Sequence, residues 1–498
     1  MALIGHATSP HDDGPGRSPE GQTPPGGPGP GKTGAAALVE TRGIEYVPEA
    51  ERWGTPSKLF GLWAGAVWNV EFVVYGTLAV AIFGLSFAQA VPIIIIGNLF
   101  YVLTGLASLQ GPVAGTTAFT VSRAAFGPRG NRVPSLFNWV TQVGFEVEGI
   151  ALIVLVAVAM FTKGGVQAGT ALKAVLIIAA VLVQALLPLV GHAAMLKILK
   201  WLAYPFVVLF VIMAIITASK VNLHVTPHGA GWGSLMVVLA LVISAGGLGW
   251  TENASDYSRY LPATTDKKRT VAAVALGGAI PSVLLEVLGA AVATAVAPAH
   301  AGGIASVTGL VQVFPSWFIW PYFIMAIFQL FAINSVDLYS SGVTLQSLGI
   351  KLKRNHCVLI DTVVCGAFAA YAVYSSRFSQ LLADFLLFII VWLGPWFAIY
   401  FVDYLLRGER YESGALFNER GGVYFRQNGI HWPAIIAQAV GMVAAVLWLN
   451  AYSPYVSILS NHVDGSDFSV FMGLAFGGAT YWLLAHKPVR AEAGAPTR

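Results

Sequence analysis

Two stretches of the chain decide its fold: residues 59–84, LFGLWAGAVWNVEFVVYGTLAVAIFG, and residues 233–254, GSLMVVLALVISAGGLGWTENA. Each is long and apolar enough to cross a ~30 Å hydrocarbon layer as a helix, which takes about 20 residues. Each also contains glycine, tryptophan and a carboxylate at similar positions: Gly65, Trp68 and Glu71 in the first, Gly247, Trp250 and Glu252 in the second. Interrupted helices at matching places in two halves of a chain are typical of inverted-repeat transporters.

The composition agrees with a membrane environment. Of 498 residues, 56% are hydrophobic and only 10% are charged, whereas soluble domains carry roughly 25% charged residues. Basic residues are dispersed among loops, so the net charge of +4 does not indicate nucleic acid. The two cysteines, Cys357 and Cys365, exclude a disulfide framework and a sulfur-rich metal site. We therefore expect an all-α integral membrane protein that needs no cofactor or metal.

Twelve apolar runs are long enough to span a bilayer, and we number them helices 1 to 12. They are 59–84, 88–109, 134–161, 171–190, 196–219, 233–254, 270–298, 316–347, 356–375, 379–406, 433–452 and 467–486. The loops that follow the even-numbered helices, with the adjoining helix ends, hold sixteen Lys and Arg residues. The loops and helix ends on the opposite side hold four, namely Lys163, Lys173, Lys220 and Arg377. This bias predicts a multi-pass protein of the plasma or inner membrane with both termini in the cytoplasm.

The same reading divides the chain into four parts. Residues 1–45, rich in Gly, Pro, Ser and Thr, are predicted to be a disordered cytoplasmic tail. Residues 46–406 form the predicted transport core, with repeats at about 59–219 and 233–406. Residues 407–486 hold helices 11 and 12, and residues 487–498 are a predicted C-terminal tail.

Acidic residues inside the predicted spans are the main chemical signal. They are Glu71, Glu146, Glu148, Glu252, Glu286 and Asp337, and no Lys or Arg lies equally deep. A charge near the bilayer centre costs at least ~2.5 kcal/mol. Such acids are therefore protonated, bonded to backbone donors of a broken helix, or turned toward a cation or a donor-rich ligand. Glu71, Glu148 and Asp337 are our candidates for carrying a coupled proton.

Helices 3 and 8 each align polar side chains at helical spacing. On helix 3, one stripe contains Asn138, Thr141, Gln142, Phe145, Glu148 and Gly149, while Glu146 points elsewhere. On helix 8, Asn334, Asp337 and Ser341 share a face. Each stripe is either a polar seam between helices or a ligand wall. In a ligand wall, Phe145 would stack on a ring, Gly149 would leave room for it, and the helix 8 amide and carboxylate would bind its edge.

Several short motifs, in order along the chain, resemble the nucleobase–cation symporter family, in its purine–cytosine permease branch. They are Phe83-Gly-Leu-Ser86, Gly97-Asn98, Ser122-Arg123, Phe126-Gly127, Gly249-Trp250, Ala254-Ser-Asp-Tyr-Ser-Arg-Tyr-Leu-Pro262, and Asn334 with Asp337, Tyr339 and Ser340. The resemblance extends from about Pro48 to the end of helix 10 and is fainter beyond. It implies twelve transmembrane helices, the first ten forming a five-plus-five inverted repeat with broken helices 1 and 6.

The resemblance also implies a site between helices 1, 3, 6 and 8. Aromatic residues of helices 3 and 6 enclose a planar heterocycle in this family, and Phe145 and Trp250 occupy those places. Asn334 and Asp337 would bind the ring edge, and the break in helix 1 would lie at Trp68 and Asn69. Glu148, Gly149 and Glu252 complete the predicted set of substrate-binding residues.

Three departures from the family pattern affect the substrate and the cation. The helix 3 aromatic is commonly Trp rather than Phe145, and Gly149 replaces an amide. Ala332 and Ile333 stand where sodium-coupled members carry hydroxyl residues. The last departure favours a proton over sodium as the co-transported cation.

Other functions fit the sequence less well. A channel needs rings of like residues along a pore, and a membrane-embedded enzyme needs a catalytic set, whereas the ten histidines lie in loops, tails or at helix ends. An amino-acid carrier would repel its substrate's carboxylate with these acids. We therefore expect import of a nucleobase or related ring, such as cytosine, a purine or an allantoin- or hydantoin-like compound. A cationic or amine-bearing vitamin-like ring, of the pyridoxine or thiamine-precursor kind, is the alternative.

Overall fold

The structure is a computed structural model that describes residues 43–186, 192–223, 230–296, 310–350, 354–375, 377–451 and 455–494. Most of the predicted N-terminal tail lies outside these residues. The described chain is helical, and its only extended pairing is an isolated bridge between Asn450 and Val456. The all-α class is therefore confirmed.

Every predicted span coincides with a helix or a series of helices in the described residues. Helix 1 is Pro56–Val67 (helix 1a) and Val70–Ala81 (helix 1b), and helix 2 is Phe87–Asn98, Tyr101–Ala107 and Gln110–Ala114. Helices 3 to 5 are Arg132–Lys163, Thr170–Leu186 and His192–Ala218. Helix 6 begins as Trp232–Ile243 and ends as Ala254–Ser258. Helices 7 to 12 are Lys267–Ala295, Ser316–Ser347, Arg354–Tyr374, Phe378–Leu406, Trp432–Leu447 and Ser469–Gly494.

The helices suit a bilayer in length and in the side chains they expose. Among the described residues, seven helices are long and apolar enough to cross a membrane, and the bent pair of helix 1 makes an eighth. The outer faces of the helices of the bundle expose large apolar side chains such as Leu182, Ile215, Val363 and Leu483, while many polar side chains are buried. An apolar exterior around a polar interior is the arrangement that lipid favours. The chain is thus a multi-pass membrane protein.

Helices 1 and 6 are both broken, as predicted. The two halves of helix 1 meet at an angle of 58°. In helix 6, a wide turn over Ser244–Leu248 is followed by a tight 3₁₀ turn over Gly249–Asn253, and Gly246 has a non-helical backbone (φ −106°, ψ −110°). Breaks in the middle of a membrane helix leave backbone groups and side chains free to face a cavity.

Helices 10, 11 and 12 form a tight group that we call the helix 10–12 block. Pro395 of helix 10 lies against Gly441 of helix 11 and Gly477 of helix 12, where an added Cβ would come within 2.6 and 2.8 Å of Pro395 atoms. The block extends past the apolar part of helix 12, which continues to Gly494 and so into the predicted C-terminal tail. There Glu492 pairs with Arg407 and Arg426 at 2.9 and 2.5 Å. These ion pairs explain why the helix continues into a polar stretch.

Candidate functional site

A buried cavity lies where the breaks of helices 1 and 6 face helices 3 and 8. Its lining consists of Glu71, Phe72 and Tyr75 from helix 1b, Phe145 from helix 3, Asp337 from helix 8, and Ala245, Gly249, Trp250, Glu252 and Asn253 from helix 6. The four helices that the family resemblance implied therefore meet at one place. Five of the predicted substrate and proton-coupling residues, namely Glu71, Phe145, Trp250, Glu252 and Asp337, line the cavity together.

The break in helix 1 is stabilised by Asn69. Its side chain accepts a hydrogen bond from the Glu71 amide (2.7 Å) and donates one to the Ala66 carbonyl (3.0 Å). Asn69 thus caps helix 1b and satisfies a carbonyl of helix 1a, which is the usual role of Asn at a helix start. Trp68 packs against Phe210 of helix 5, with ring centroids 6.0 Å apart. Both residues shape the break, and neither is among the lining residues of the cavity.

The two aromatic residues predicted to enclose a ring both border the cavity. Phe145 makes an edge-to-face contact with Phe385 of helix 10 (5.1 Å), and Trp250 makes one with Trp63 of helix 1a (5.5 Å). Such contacts fix the orientation of the rings. Trp250 follows the wide turn of helix 6, so the position of its indole depends on the break.

Carboxyl groups dominate the polar part of the site. Glu71, Glu252 and Asp337 line the cavity, and Glu148 lies just behind it, where the Tyr75 hydroxyl donates to its Oε2 (3.2 Å). Glu71, Glu148 and Asp337 are close enough to repel one another, and Asp337 also acts on Glu252. No Lys or Arg is among the lining residues that the structure describes. The site therefore favours protons and donor-rich or cationic ligands over anions.

Glu252 is oriented by an amide from helix 3. Gln142 Nε2 donates to Glu252 Oε1 (2.5 Å) and to Asn253 Oδ1 (3.1 Å). This bridge joins the 3₁₀ turn of helix 6 to the polar stripe of helix 3. The stripe therefore acts both as a seam between helices and as a support for the cavity wall.

Asn334 and Gly149 form a packing contact between helices 8 and 3 instead of opening space for a ligand. Asn334 Nδ2 donates to Gln184 Oε1 of helix 4 (2.8 Å) and to the Glu146 carbonyl (3.2 Å). A Cβ added at Gly149 would overlap the Asn334 side chain. The expectation that Gly149 leaves room for a ring is thus wrong, because Asn334 fills that room. Asp337, one turn later on helix 8, is the helix 8 residue that lines the cavity.

Other predicted polar groups have structural contacts. Glu146 points away from the stripe, as expected, and accepts from Cys365 Sγ (3.0 Å). Ser341 Oγ donates to Asp361 (3.0 Å), and the Ala118 amide donates to Asp256 (2.8 Å). None of these groups is among the cavity lining.

Sequence reasoning missed five lining residues, Phe72, Tyr75, Ala245, Gly249 and Asn253. Phe72 and Tyr75 lie on helix 1b in a run, Val70–Val80, in which every residue is buried. A helix buried on all sides has no amphipathic face, so periodicity could not single them out. For Tyr75, the spacing of four residues from Glu71 was the available signal, because positions four apart share a helix face.

The cavity contains very little free space. Its volume is about 20 Å³, which is room for about one water molecule. A planar ring therefore enters only after the aromatic side chains or the broken helices move. A buried polar cavity between two broken helices, in a membrane-embedded bundle, is where transporters built from inverted repeats bind their substrates.

The comparisons with known proteins identify the family. Residues 46–473 match the model of permeases for cytosine/purines, uracil, thiamine and allantoin. The chain belongs to this family. YxlA of Bacillus subtilis (strain 168), provisionally named a purine-cytosine permease, is 30% identical over 479 residues, covering 92% of this chain and 98% of that protein. The purine-cytosine permease fcyB of Emericella nidulans is 26% identical over 466 residues, covering 90% and 88%.

A solved structure shares the fold. It is Mhp1, a nucleobase-cation-symport-1 family transporter in a closed conformation with bromovinylhydantoin bound, with a TM-score of 0.68 and 16% identity. The match covers 92% of this chain and 95% of that chain. The fold is thus that of Mhp1, with which the predicted inverted repeat is consistent. Because the relatives are permeases, the chain is a transporter and not an enzyme.

Proposed function

We propose that this permease imports a nucleobase or a closely related small heterocycle together with a proton. The cavity between Phe145 and Trp250, with Glu71, Glu252 and Asp337 on its walls, is the observation that supports the proposal. Two aromatic side chains suit a planar ring, because ring pairs add stacking energy to the burial of apolar area. The carboxyl oxygens suit ring nitrogens and exocyclic amines that donate hydrogen bonds.

The cavity wall offers more hydrogen-bond acceptors than donors, and this favours substrates that donate hydrogen bonds. Carboxylates only accept hydrogen bonds, and a protonated carboxyl donates only one. A ring with an amino group or several N–H donors, such as cytosine or adenine, is therefore preferred over a ring that presents mainly carbonyl oxygens. A cationic or amine-bearing vitamin-like ring is the second candidate. The lining residues that the structure describes include acids and no Lys or Arg, which suits a positively charged ring as well.

The proton is our proposed co-transported cation. Ala332 and Ile333 offer no hydroxyl, and the nearby Ser335 Oγ donates to the Ala332 carbonyl of its own helix (2.6 Å). Glu71, Glu148 and Asp337 are the candidate carriers, and we favour Glu148, because Tyr75 connects it to the cavity lining. In this proposal helices 1 to 10 form the transport core in the cell membrane, and both termini are cytoplasmic.

One two-stage experiment tests this function. Purified protein is first screened by thermal shift against purines, pyrimidines, hydantoins, allantoin and B-vitamin rings. Uptake of each labelled hit is then measured in proteoliposomes under an imposed proton or sodium gradient. We expect an amine-bearing nucleobase to stabilise the protein and to accumulate with the proton gradient. If no nucleobase stabilises the protein and a vitamin ring does, the substrate is the second candidate, a cationic or amine-bearing vitamin-like ring.

A further inference from the structure

Glu286 is a further buried carboxyl group that is not among the cavity lining, and its partner Asn98 adjoins the break of helix 6. Glu286 of helix 7 and Asn98 of helix 2 are both fully buried. Asn98 Nδ2 donates to Glu286 Oε2 (2.9 Å) and to the Ile94 carbonyl (2.9 Å). Both hydrogens of the amide nitrogen are thereby used. This arrangement fixes the orientation of the amide, since a flipped amide would turn its oxygen toward two acceptors.

The pair leaves two oxygen atoms without a donor. Asn98 Oδ1 and Glu286 Oε1 are buried, and neither has a hydrogen-bond partner in the part of the chain that the structure describes. Amide and carboxylate oxygens are both acceptors, so they cannot satisfy each other while Glu286 is ionised. A proton on Glu286 Oε1 converts that atom into a donor. The acid and the amide can then form the paired hydrogen bonds of a cyclic acid–amide dimer.

Among the described residues, no Lys or Arg is in contact with Glu286 to stabilise it as a carboxylate. The titratable group that faces it among the described residues is Tyr101 of helix 2, whose hydroxyl accepts from Ser282 of helix 7 (3.0 Å). Helix 1b packs its backbone at Gly76 directly against helix 7, because a Cβ added at Gly76 would overlap the Glu286 main chain. A buried charge without a partner is strongly disfavoured. The neutral acid is thus the form that this environment stabilises.

The pair is in contact with the unwound part of helix 6. A Cβ added at Gly246 would lie 3.2 Å from Asn98 Oδ1 and 3.1 Å from the Tyr101 ring. Thr104, farther along helix 2, donates to the Gly247 carbonyl (2.6 Å). Asn98 therefore sits against the residue whose backbone departs from helical geometry. The Asn98 amide is therefore in direct contact with the break.

We propose that Glu286 and Asn98 form a proton-binding site distinct from the substrate cavity, and that loss of its proton releases the unwound segment of helix 6. The O–H bond of Glu286 breaks and the proton leaves to water. The two unpartnered oxygens, Asn98 Oδ1 and Glu286 Oε1, are then both acceptors beside a negative charge. The segment 244–253 rearranges to relieve this repulsion. The site is additional to the proposed coupling acid Glu148, and its existence does not depend on which ring or cation is transported.

The proton can be observed directly by infrared spectroscopy. A protonated carboxyl has a C=O stretch that is separate from those of carboxylates and amides. The difference between wild type and Glu286→Gln should contain one such band, which should fade as the pH is raised. Asn98→Leu should shift this band, because the acid loses its amide partner. Absence of the band at every pH would overturn the site, because Glu286 would then be ionised throughout.

The switch is tested by hydrogen–deuterium exchange of residues 244–253, comparing variants at the same pH. Glu286→Gln keeps the shape of the acid and can donate to Asn98 Oδ1, so it imitates the protonated form. Wild type should match this variant at low pH and exchange several-fold faster at high pH.

Glu146→Gln, the same change at another fully buried acid, is the matched control and should behave as wild type. Equal exchange in wild type and Glu286→Gln at every pH would overturn the switch. Neither readout requires transport, so failure of the proposed function would be seen separately.

Discussion

Tyr75 on helix 1b donates a hydrogen bond to Glu148 on helix 3, with the hydroxyl 3.2 Å from Oε2. Tyr75 lines the cavity, whereas Glu148 is buried behind it. The other carboxyl oxygen of Glu148 has no partner among the described residues. Protonation of Glu148 would therefore change the forces between a broken helix and its neighbour. Movement between these helices is what alternating access requires.

Replacing Glu148 tests whether it carries the coupled proton. Glu148→Gln keeps the size and hydrogen bonding of the side chain but cannot exchange a proton. We expect substrate binding and exchange to persist while gradient-driven accumulation is lost, measured in proteoliposomes with labelled substrate. Glu146→Gln is the matched control, because it makes the same change at a buried acid of helix 3 that is not among the cavity lining, so accumulation should continue. If Glu148→Gln binds no substrate, Glu148 contributes to substrate binding instead of carrying the coupled proton. If it accumulates substrate normally across the neutral pH range, Glu71 or Asp337 becomes the better candidate.

The aromatic walls of the cavity should contribute to affinity. Phe145→Ala and Trp250→Ala should each weaken binding by about 1 kcal/mol beyond the loss of apolar area, which is about fivefold in Kd. Binding is measured by calorimetry or scintillation proximity on purified protein. Trp482→Ala, on the exposed face of helix 12, should leave affinity unchanged. Wild-type affinity in both cavity variants, at normal expression, would place the ligand elsewhere.

The contact between Gly149 and Asn334 should limit what can replace the glycine. Gly149→Ala introduces a methyl group where the Asn334 side chain already lies, and overpacking of this kind costs about 1–3 kcal/mol. We expect a lower melting temperature in detergent. Gly61→Ala on helix 1a, where an added Cβ has no neighbour within 4 Å, should not destabilise the protein. The double variant Gly149→Ala with Asn334→Ala should recover part of the loss. A Gly149→Ala protein as stable as wild type would show that helices 3 and 8 are less tightly packed.

The identity of the cation can be tested without any mutation. Because helix 8 carries Ala332 and Ile333, uptake should persist when choline replaces sodium in the medium. A protonophore should abolish accumulation, because it removes the proton gradient. Uptake that requires sodium and ignores the protonophore would contradict proton coupling. Backbone carbonyls of helices 1 and 8 would then have to provide the sodium site.

The sequence was most informative where a polar residue interrupts an apolar run. Such an interruption is costly in lipid, so Glu71, Glu252 and Asp337 could be assigned to an interior site without a structure. The breaks in helices 1 and 6 were expected from the glycines and carboxylates at matching positions of the two runs and from the family resemblance. In helix 6, a cluster of glycines precedes Trp250, and glycine weakens a helix.

The direction of an individual side chain was less predictable. Helical spacing shows that Asn334 and Asp337 share a broad face, but that face meets both the cavity and helix 4. Asn334 turns to Gln184, a residue 150 positions away in sequence. No local pattern encodes a partner at that distance. Trp68 and Asn69 illustrate the same limit, because their positions at the break were expected while their contacts with Phe210 and Ala66 were not.

The helix 10–12 block has a consequence for measuring motion in this protein. Three helices meet at Pro395 without intervening side chains, and the Glu492 ion pairs join their ends. Such a unit changes shape less readily than the broken helices, because close-packed interfaces deform poorly. It therefore provides an internal reference frame for spectroscopy. A spin label on its exposed face, at Leu483, paired with one on helix 1a at Phe60, would report displacement of the broken helix alone.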